Sequence, residues 1–493
     1  MQMKIKFLLF IAGILLMAGV MTSCLNNDDA EISYSPESSI YSFSLGTAWR
    51  NVVGVDSNGN DSAYVDSLDI SGYPFTINQL TRVIENKDSL PVGTQIDKLL
   101  VNISSDTGYI VYKKSGSGST GEDMILATTD SLDFSAGPIE MKVLSYAGTF
   151  GYPYTVKVNV HQQEPDSLQW SLPFEQPFVA GALSRQKAVL AGDKLIVFGQ
   201  TAGGDVTAEY ATLNYRLVNG VATHADPSAW QSVALPAGTD SYSPICWQGA
   251  VYFLAAHELY RLDPADMTYA LVAAGTGVPQ LGQLLVGTEL ASSVCLYARQ
   301  EDGHFVTYDA SAGTWNDEGD VADFPYVAGS RLASVALPVS HNSSLARLVS
   351  LAENPVSQDS AAIVGTRLTN DATWRGLVAT ASALSCPNMA DPTLLYYDGK
   401  LIAYGGKAVN NNYTHDAFVK LYVSEDNGLT WNVADAGLSF PKDNAAFVHY
   451  YNKEMAGGYS SVADDYHFIW IVWTDGTLSR GRINRLGFQP KWN

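Results

Sequence analysis

The chain has little charge, and little of that is positive. Only 16% of its 493 residues are charged; 29 Lys and Arg stand against 50 Asp and Glu, for a formal net charge of −21. Such a field repels phosphate backbones and anionic headgroups, which argues against a nucleic-acid partner. Cysteine is scarce: Cys24, Cys246, Cys295 and Cys386. No C-x-x-C pair occurs, so zinc ribbons and thioredoxin-type chemistry drop out. If Cys24 serves as an anchor, an odd number remains and at most one disulfide forms, with no pairing favoured by the spacing. The eight histidines are scattered, without the i, i+4 helical pair of a zinc protease. There is no G-x-S-x-G elbow and no phosphate-binding glycine loop. No catalytic residue, metal ligand or cofactor is assigned from the sequence.

What is plentiful is apolar, aromatic and turn-forming. Hydrophobic residues make up 46%, aromatics 11%, and there are 42 glycines. That balance suits an extracytoplasmic all-β protein. The length exceeds what one core serves, so two or more domains are expected.

Lys4 and Lys6 precede an uncharged run of 15 residues, Phe7 to Met21. The run is short for a membrane span and suits a signal-peptide core. It ends Met21-Thr22-Ser23-Cys24, which resembles a bacterial lipobox. The resemblance implies a signal peptide over 1–23 and diacylation of Cys24; plain signal cleavage beside an incidental cysteine is the alternative. Residues 24–32, with Asp28, Asp29 and Glu31, resemble the tethers that carry Bacteroidetes lipoproteins to the outer face of the outer membrane. A merely solvated tether on the periplasmic face is the other reading.

Residues 33–163 read as short alternating strands. Tyr41 to Leu45 has period two, as a half-buried strand should. Val52 to Val55 and Ala63 to Leu68 flank Asp56-Ser-Asn-Gly-Asn-Asp61. That loop lacks the glycine of a calcium loop at position six, where Asp61 stands, and the Glu at position twelve, where Ser67 stands. A hairpin turn at Asn58-Gly59 is the preferred reading. Further strands are expected at Leu99 to Ile103, Tyr109 to Tyr112, Ile139 to Ser145 and Tyr154 to Val160. About seven such strands suggest an immunoglobulin-like sandwich. Ile77 to Asn86 suggests a short helix or a bulged strand. The polar run 162–167, with Pro165, reads as a linker.

Residues 167–493 are organised by aromatic residues expected to close units: Trp170, Trp230, Tyr269, Trp315, Trp374 and Trp431. Their gaps are 60, 39, 46, 59 and 57 residues. Units of that length, each opening with an apolar hairpin, predict a β-propeller. Six blades are expected, seven being the alternative, with the strand near Leu168 completing the last blade. In the clearest unit, Tyr396 to Trp431, Asp398-Gly399 suits a tight turn of positive φ. The later segment Ser424-Glu-Asp426-Asn-Gly428-Leu-Thr430-Trp431 reads S-x-D-x-G-x-T-W.

LIAYGG, Leu401 to Gly406, resembles a kelch strand ending in a double glycine, and SEDNGLTW resembles the Asp box of sialidase-type propellers. The whole layout resembles an uncharacterised family of Bacteroidetes lipoproteins with an N-terminal β-sandwich and a C-terminal kelch-like or Asp-box propeller. The resemblance implies a structural turn for the box, away from any catalytic face. Sialidase chemistry needs three arginines around a carboxylate, and no Arg-Ile-Pro motif is present. Arg480, Arg482 and Arg485 are the nearest approach to an anion site, though a solvated edge is preferred. Tyr326, Tyr413, His415, Tyr459 and Tyr466 are candidate ligand-face residues by their expected loop positions. A monomeric, membrane-anchored, non-catalytic module binding a glycan or surface protein is preferred. A glycan-active enzyme, hydrolase or lyase, is the alternative.

Overall fold

The computed structural model describes residues 34–55, 61–113, 121–272, 277–324, 332–354, 361–377, 384–389, 391–405, 420–435, 437–441 and 459–488. Cys24 and the turn at Asn58-Gly59 lie outside them. The chain divides into two compact units, Met1–Glu164 and Pro165–Asn493. No α-helix occurs among the described residues; a single 3₁₀ turn spans Asn484–Gly487.

In the first unit, a three-stranded sheet runs in the order Ile40–Leu45, Leu99–Ser105, Ser131–Leu132. A six-stranded sheet runs Phe75–Asn78, Val83–Asn86, Tyr154–Lys157, Ile139–Val143, Ile110–Lys113, Met124–Ile125. Alternation sets which side chains turn inward: Ile139, Met141 and Val143 are buried while Glu140 and Lys142 are not. They join Ile40, Phe43 and Leu99 of the smaller sheet in one core. Tyr154 ties the sheets together, its oxygen accepting from the Ile40 N–H at 3.2 Å. Thr47–Val55 and Asp61–Asp69 pair as a separate two-stranded antiparallel sheet. The segment Ile77 to Asn86 holds no helix. Its two ends are paired strands, and Arg82 takes φ 54° just before the second.

In the second unit, six antiparallel sheets are seen among the described residues. Their first strands are Ser184–Ala191, Ile245–Trp247, Leu281–Leu290, Leu332–Pro338, Thr393–Tyr397 and Tyr459–Ala463. Each first strand touches the first strand of the next sheet, and Tyr459–Ala463 touches Ser184–Ala191, so the ring closes. The closing sheet is built from both ends of the unit. Leu168–Trp170 is its outermost strand, pairing with Leu478–Ile483 through Leu168↔Ile483 and Trp170↔Gly481.

The strands of this unit are apolar at consecutive positions because both faces of each sheet are covered. Ile469-Trp470-Ile471-Val472-Trp473 shows the rule. Ile469, Ile471 and Trp473 pack with Tyr397, Ile402 and Tyr404 of the preceding sheet. Trp470 and Val472 point the other way, onto Leu195, Val197 and Trp230 of the first sheet. The same division holds in Leu195 to Phe198: Leu195 and Val197 face the closing sheet, while Ile196 and Phe198 face Val251 and Phe253 of the second. Six cores, one between each pair of neighbouring sheets, result. At Gly287 the contact is so close that a Cβ would lie 2.3 Å from the Trp247 ring.

Of the expected closing aromatics, Trp230, Trp374 and Trp431 are buried between sheets. Trp170 and Trp315 are partly buried. Tyr269 departs from the pattern: it lies on an outer strand, 39% exposed, with its ring edge toward Tyr260. Tyr269 takes part in neither of the two cores that flank its sheet, so its spacing alone does not bury it.

Candidate functional site

The first strands of all six sheets line a central cavity of about 400 Å³. Its walls are mostly aliphatic. Lys187 and Asp391 are the charged lining residues among those described. Tyr242, Cys246, Thr393, Tyr459, Ser460 and Ser461 supply polar groups.

Lys187 is half-buried and donates from Nζ to the Tyr242 carbonyl at 3.1 Å. Burial lowers its ammonium to about 8, against a smaller upward pull from the Asp240 charge. Cys246 opens onto the cavity as a free thiol. Burial first, then the charges of Glu289 and Asp465, push that thiol up to about 11. It is therefore a neutral thiol near pH 7, without the thiolate a nucleophile needs. Cys295 and Cys386 are buried free thiols.

Tyr459, expected on a loop, instead opens an innermost strand. Its ring is buried and its hydroxyl donates to the Asp391 carbonyl at 2.6 Å, while the Thr393 hydroxyl donates to it at 3.1 Å. It reaches the cavity wall but offers no open face for stacking. The hydrophobic run before it gave no hint, because an innermost strand and a loop rim both follow turn residues here. Tyr466 packs against Tyr215 with centroids 4.5 Å apart and the rings tilted by 46°. Tyr326, Tyr413 and His415 lie outside the described residues.

Arg480 and Arg482 form neither a solvated edge nor an open anion site, whereas Arg485 is exposed, as expected of an edge. The Arg480 guanidinium packs over Phe174, Phe468 and Trp470 and donates to the Ala225 carbonyl at 2.5 Å. Arg482 sits over Phe468 and donates to the Ala222 carbonyl at 2.6 Å. Arg485 pairs with Asp166 at 2.6 Å and with Asp398. All three are spent on joining the closing sheet to its neighbours. Sequence spacing cannot show this, since the partners come from distant sheets.

Ser424 to Trp431 forms a self-contained turn. The Ser424 hydroxyl donates to Asp426 Oδ1 at 2.9 Å and accepts from the Gly428 N–H at 2.9 Å. The Thr430 N–H and hydroxyl donate to the two Asp426 oxygens at 2.8 and 2.6 Å. Trp431 Nε1 donates to the Gly428 carbonyl at 3.0 Å. Gly428 has φ 95° and lies against Val349 and Val364 of the preceding sheet. Partial burial pushes the Asp426 carboxyl up, but the Thr430 and Ser424 hydrogen bonds outweigh it and hold it below the usual range.

The well-buried carboxylates of this unit are likewise committed. Glu209 accepts from the Val179 and Ala180 N–H groups at 2.8 and 2.7 Å. Asp464 accepts from the Tyr215 hydroxyl, Trp470 Nε1 and the Phe468 N–H. Glu318 pairs with Arg367 and accepts from the Thr307 hydroxyl at 2.5 Å.

Two family domains match the chain: a DUF6242 beta propeller domain over residues 164–491, and a domain of unknown function (DUF6242) N-terminal domain over 43–158. No curated protein matches it. Among solved structures it is similar to an alpha-L-arabinanase of Penicillium chrysogenum complexed with arabinobiose, at 11% identity and TM-score 0.38. That match covers 65% of this chain and 100% of the other. A GH93 alpha-L-arabinofuranosidase of Fusarium graminearum is similar at 12% identity and TM-score 0.37, covering 63% and 97%. The extracellular domain of a one-component system from B. thetaiotaomicron follows at 11% and TM-score 0.32, covering 63% and 40%. With two thirds of its length matched by the propeller and most of the rest by the N-terminal domain, the chain belongs to the DUF6242 family.

Proposed function

We propose that this protein is a lipid-anchored, non-catalytic binding module whose ligand chamber is the central cavity of a six-bladed propeller. Anchoring is assigned to Cys24, with the chain displayed at the outer membrane, facing the cell surface or the periplasm. The immunoglobulin-like first domain serves as a spacer, and the S-x-D-x-G-x-T-W turn is a structural Asp box. A glycan or a surface protein at the propeller face is the ligand class, bound by a monomer.

The observation that carries the non-catalytic reading is the cavity's charge inventory. Glycoside hydrolysis uses two carboxyl groups about 5–10 Å apart across the scissile bond. Among the described residues the cavity lining holds one, Asp391, beside one ammonium and a neutral thiol. The buried acids elsewhere in the unit are tied into structural hydrogen bonds. A glycan array probed with the detergent-solubilised full chain, followed by product analysis of each hit, tests the reading. Retention of intact glycan on the array is expected. Turnover of any hit would reverse the choice in favour of a glycan-active enzyme. Release of the chain from the membrane fraction by Cys24→Ala tests the anchor, and palmitate incorporation by that variant would refute it.

A further inference from the structure

The first unit carries an edge that the fold leaves open. Thr47–Val55 and Asp61–Asp69 pair from Thr47↔Asp69 to Val55↔Asp61 without a bulge. The outer side of Thr47–Val55 is occupied: the Asn51 N–H donates to the Gly93 carbonyl at 2.9 Å, and the Gln95 N–H donates to the Trp49 carbonyl at 2.7 Å. The outer side of Asp61–Asp69 is not. Among the described residues no strand pairs there and no backbone group bonds to it. Alternate N–H and C=O groups of an edge strand point away from its partner, which leaves a row of unmade ladder bonds. Such edges are commonly blunted by proline, lysine, a bulge or short length. This strand, Asp-Ser-Ala-Tyr-Val-Asp-Ser-Leu-Asp, is nine residues long and has none of these devices.

The two faces of this strand pair differ in chemistry. Residues directly opposite each other share a face. Trp49 lies opposite Ser67, Asn51 opposite Val65, and Val53 opposite Ala63. That face is largely apolar and open, with Trp49 56% and Val53 71% exposed. The other face carries Tyr64 and Asp66, both exposed. Asp66 stands opposite Arg50, but the Arg50 guanidinium donates to the Val92 carbonyl at 2.8 Å and pairs with Glu164 at 3.2 Å. Asp66 accepts from the Ser67 N–H at 2.8 Å, and no cation is paired with it among the described residues. A second copy of the chain laid on this edge would set the strand's aspartates against one another, between two molecules of net charge −21. A segment that alternates cationic and apolar residues meets no such repulsion. Its charges face Asp66, and its apolar side chains extend the Trp49 face.

We infer that the edge Asp61–Asp69 takes up an extended, alternately basic and apolar segment of a partner protein as a third strand. The inference stands apart from the propeller cavity and from the ligand proposed for it. Fluorescence anisotropy of the labelled heptapeptide Lys-Val-Lys-Val-Lys-Val-Lys with the detergent-solubilised full chain tests it, beside hydrogen exchange of the complex. The peptide saturates one site per chain and slows amide exchange across residues 61–69. The counterpart with glutamate in place of lysine binds at least about tenfold more weakly. The lysine peptide methylated at its internal backbone nitrogens keeps every charge but cannot donate ladder bonds, and it too loses about tenfold. Asp66→Lys, a change at an exposed position, loses severalfold for the lysine peptide and gains for the glutamate one, with its unfolding midpoint unchanged.

Absence of saturable binding overturns the inference. Equal affinity for the methylated peptide does so as well, because attraction to a negative chain would then explain the binding without a strand. Protection confined to residues outside 61–69, or wild-type affinity in Asp66→Lys, has the same force. Self-association of the chain that protects the same segment would give the edge to a second copy and overturn it too.

Discussion

Asp426 shows how much one side chain holds. Its two oxygens accept three hydrogen bonds from Ser424 and Thr430 within one turn, and the tightness of that turn seats Trp431 between two sheets. Asp426→Asn keeps the size but removes the charge that all these donors address. Hydrogen bonds to a charged group contribute about 1.5–3 kcal/mol, so a loss of that order is expected in urea unfolding. The acid limb follows from the lowered carboxyl. The folded state holds its proton less tightly than the unfolded state, so the stabilisation is present above the unfolded value near ~3.9 and fades as pH falls through the folded one. The Asn variant should show a flatter stability curve there than wild type. Identical acid limbs would mean the turn does not depend on the ionised form. Much at this scale was legible from the sequence, because the bonds are local and the spacing S-x-D-x-G-x-T-W sets them. Tyr459 was not legible: its partners, Asp391 and Thr393, lie on another sheet.

At the scale of the element, the strands of the second unit carry apolar residues on both faces. Trp473 is fully buried, and its Nε1 donates to the Ser479 hydroxyl at 2.8 Å. Trp473→Ala should cost about 3–5 kcal/mol, read as a shift of the chemical-unfolding midpoint. A cost under about 1 kcal/mol would show that the neighbouring sheets collapse onto the gap. Strand positions were largely readable because turn residues punctuate the chain and apolar runs fill the intervals. Ile77 to Asn86 misled because helix and hairpin share its pattern of apolar residues; the left-handed Arg82, which breaks it, leaves no mark in composition. The arginines of the last strand were misread as a surface edge for a related reason. Alternation gives the face of a strand but not what covers it, and here aromatic rings of other strands do.

At the scale of the whole molecule, the second unit is a closed ring whose last sheet borrows the strand Leu168–Trp170. The repetition of hairpin units was legible from spacing, and so was the place of closure, because Trp170 stands before the first hairpin with no unit of its own. The cavity was not, since its lining comes one strand at a time from six separate stretches. Gln169→Pro places a ring where the closing strand must lie flat against Leu478–Ile483, and Leu168→Asp puts a charge into the core it caps. Both should expose the edge of the last sheet and produce concentration-dependent association in size-exclusion chromatography. Monomeric variants with wild-type unfolding midpoints would show that the ring stays shut without this strand.

The borrowed strand also fixes an order of events during synthesis. The Ser171 hydroxyl and the Arg480 carbonyl it meets are 309 positions apart along the chain. Until the ribosome has delivered the final hairpin, the opening strand has nothing to dock on, and the ring stays incomplete. Contacts of such long range form late and slowly. For the exported chain proposed above, this delay lets translocation run ahead of folding, and the wheel locks only once its far end has emerged.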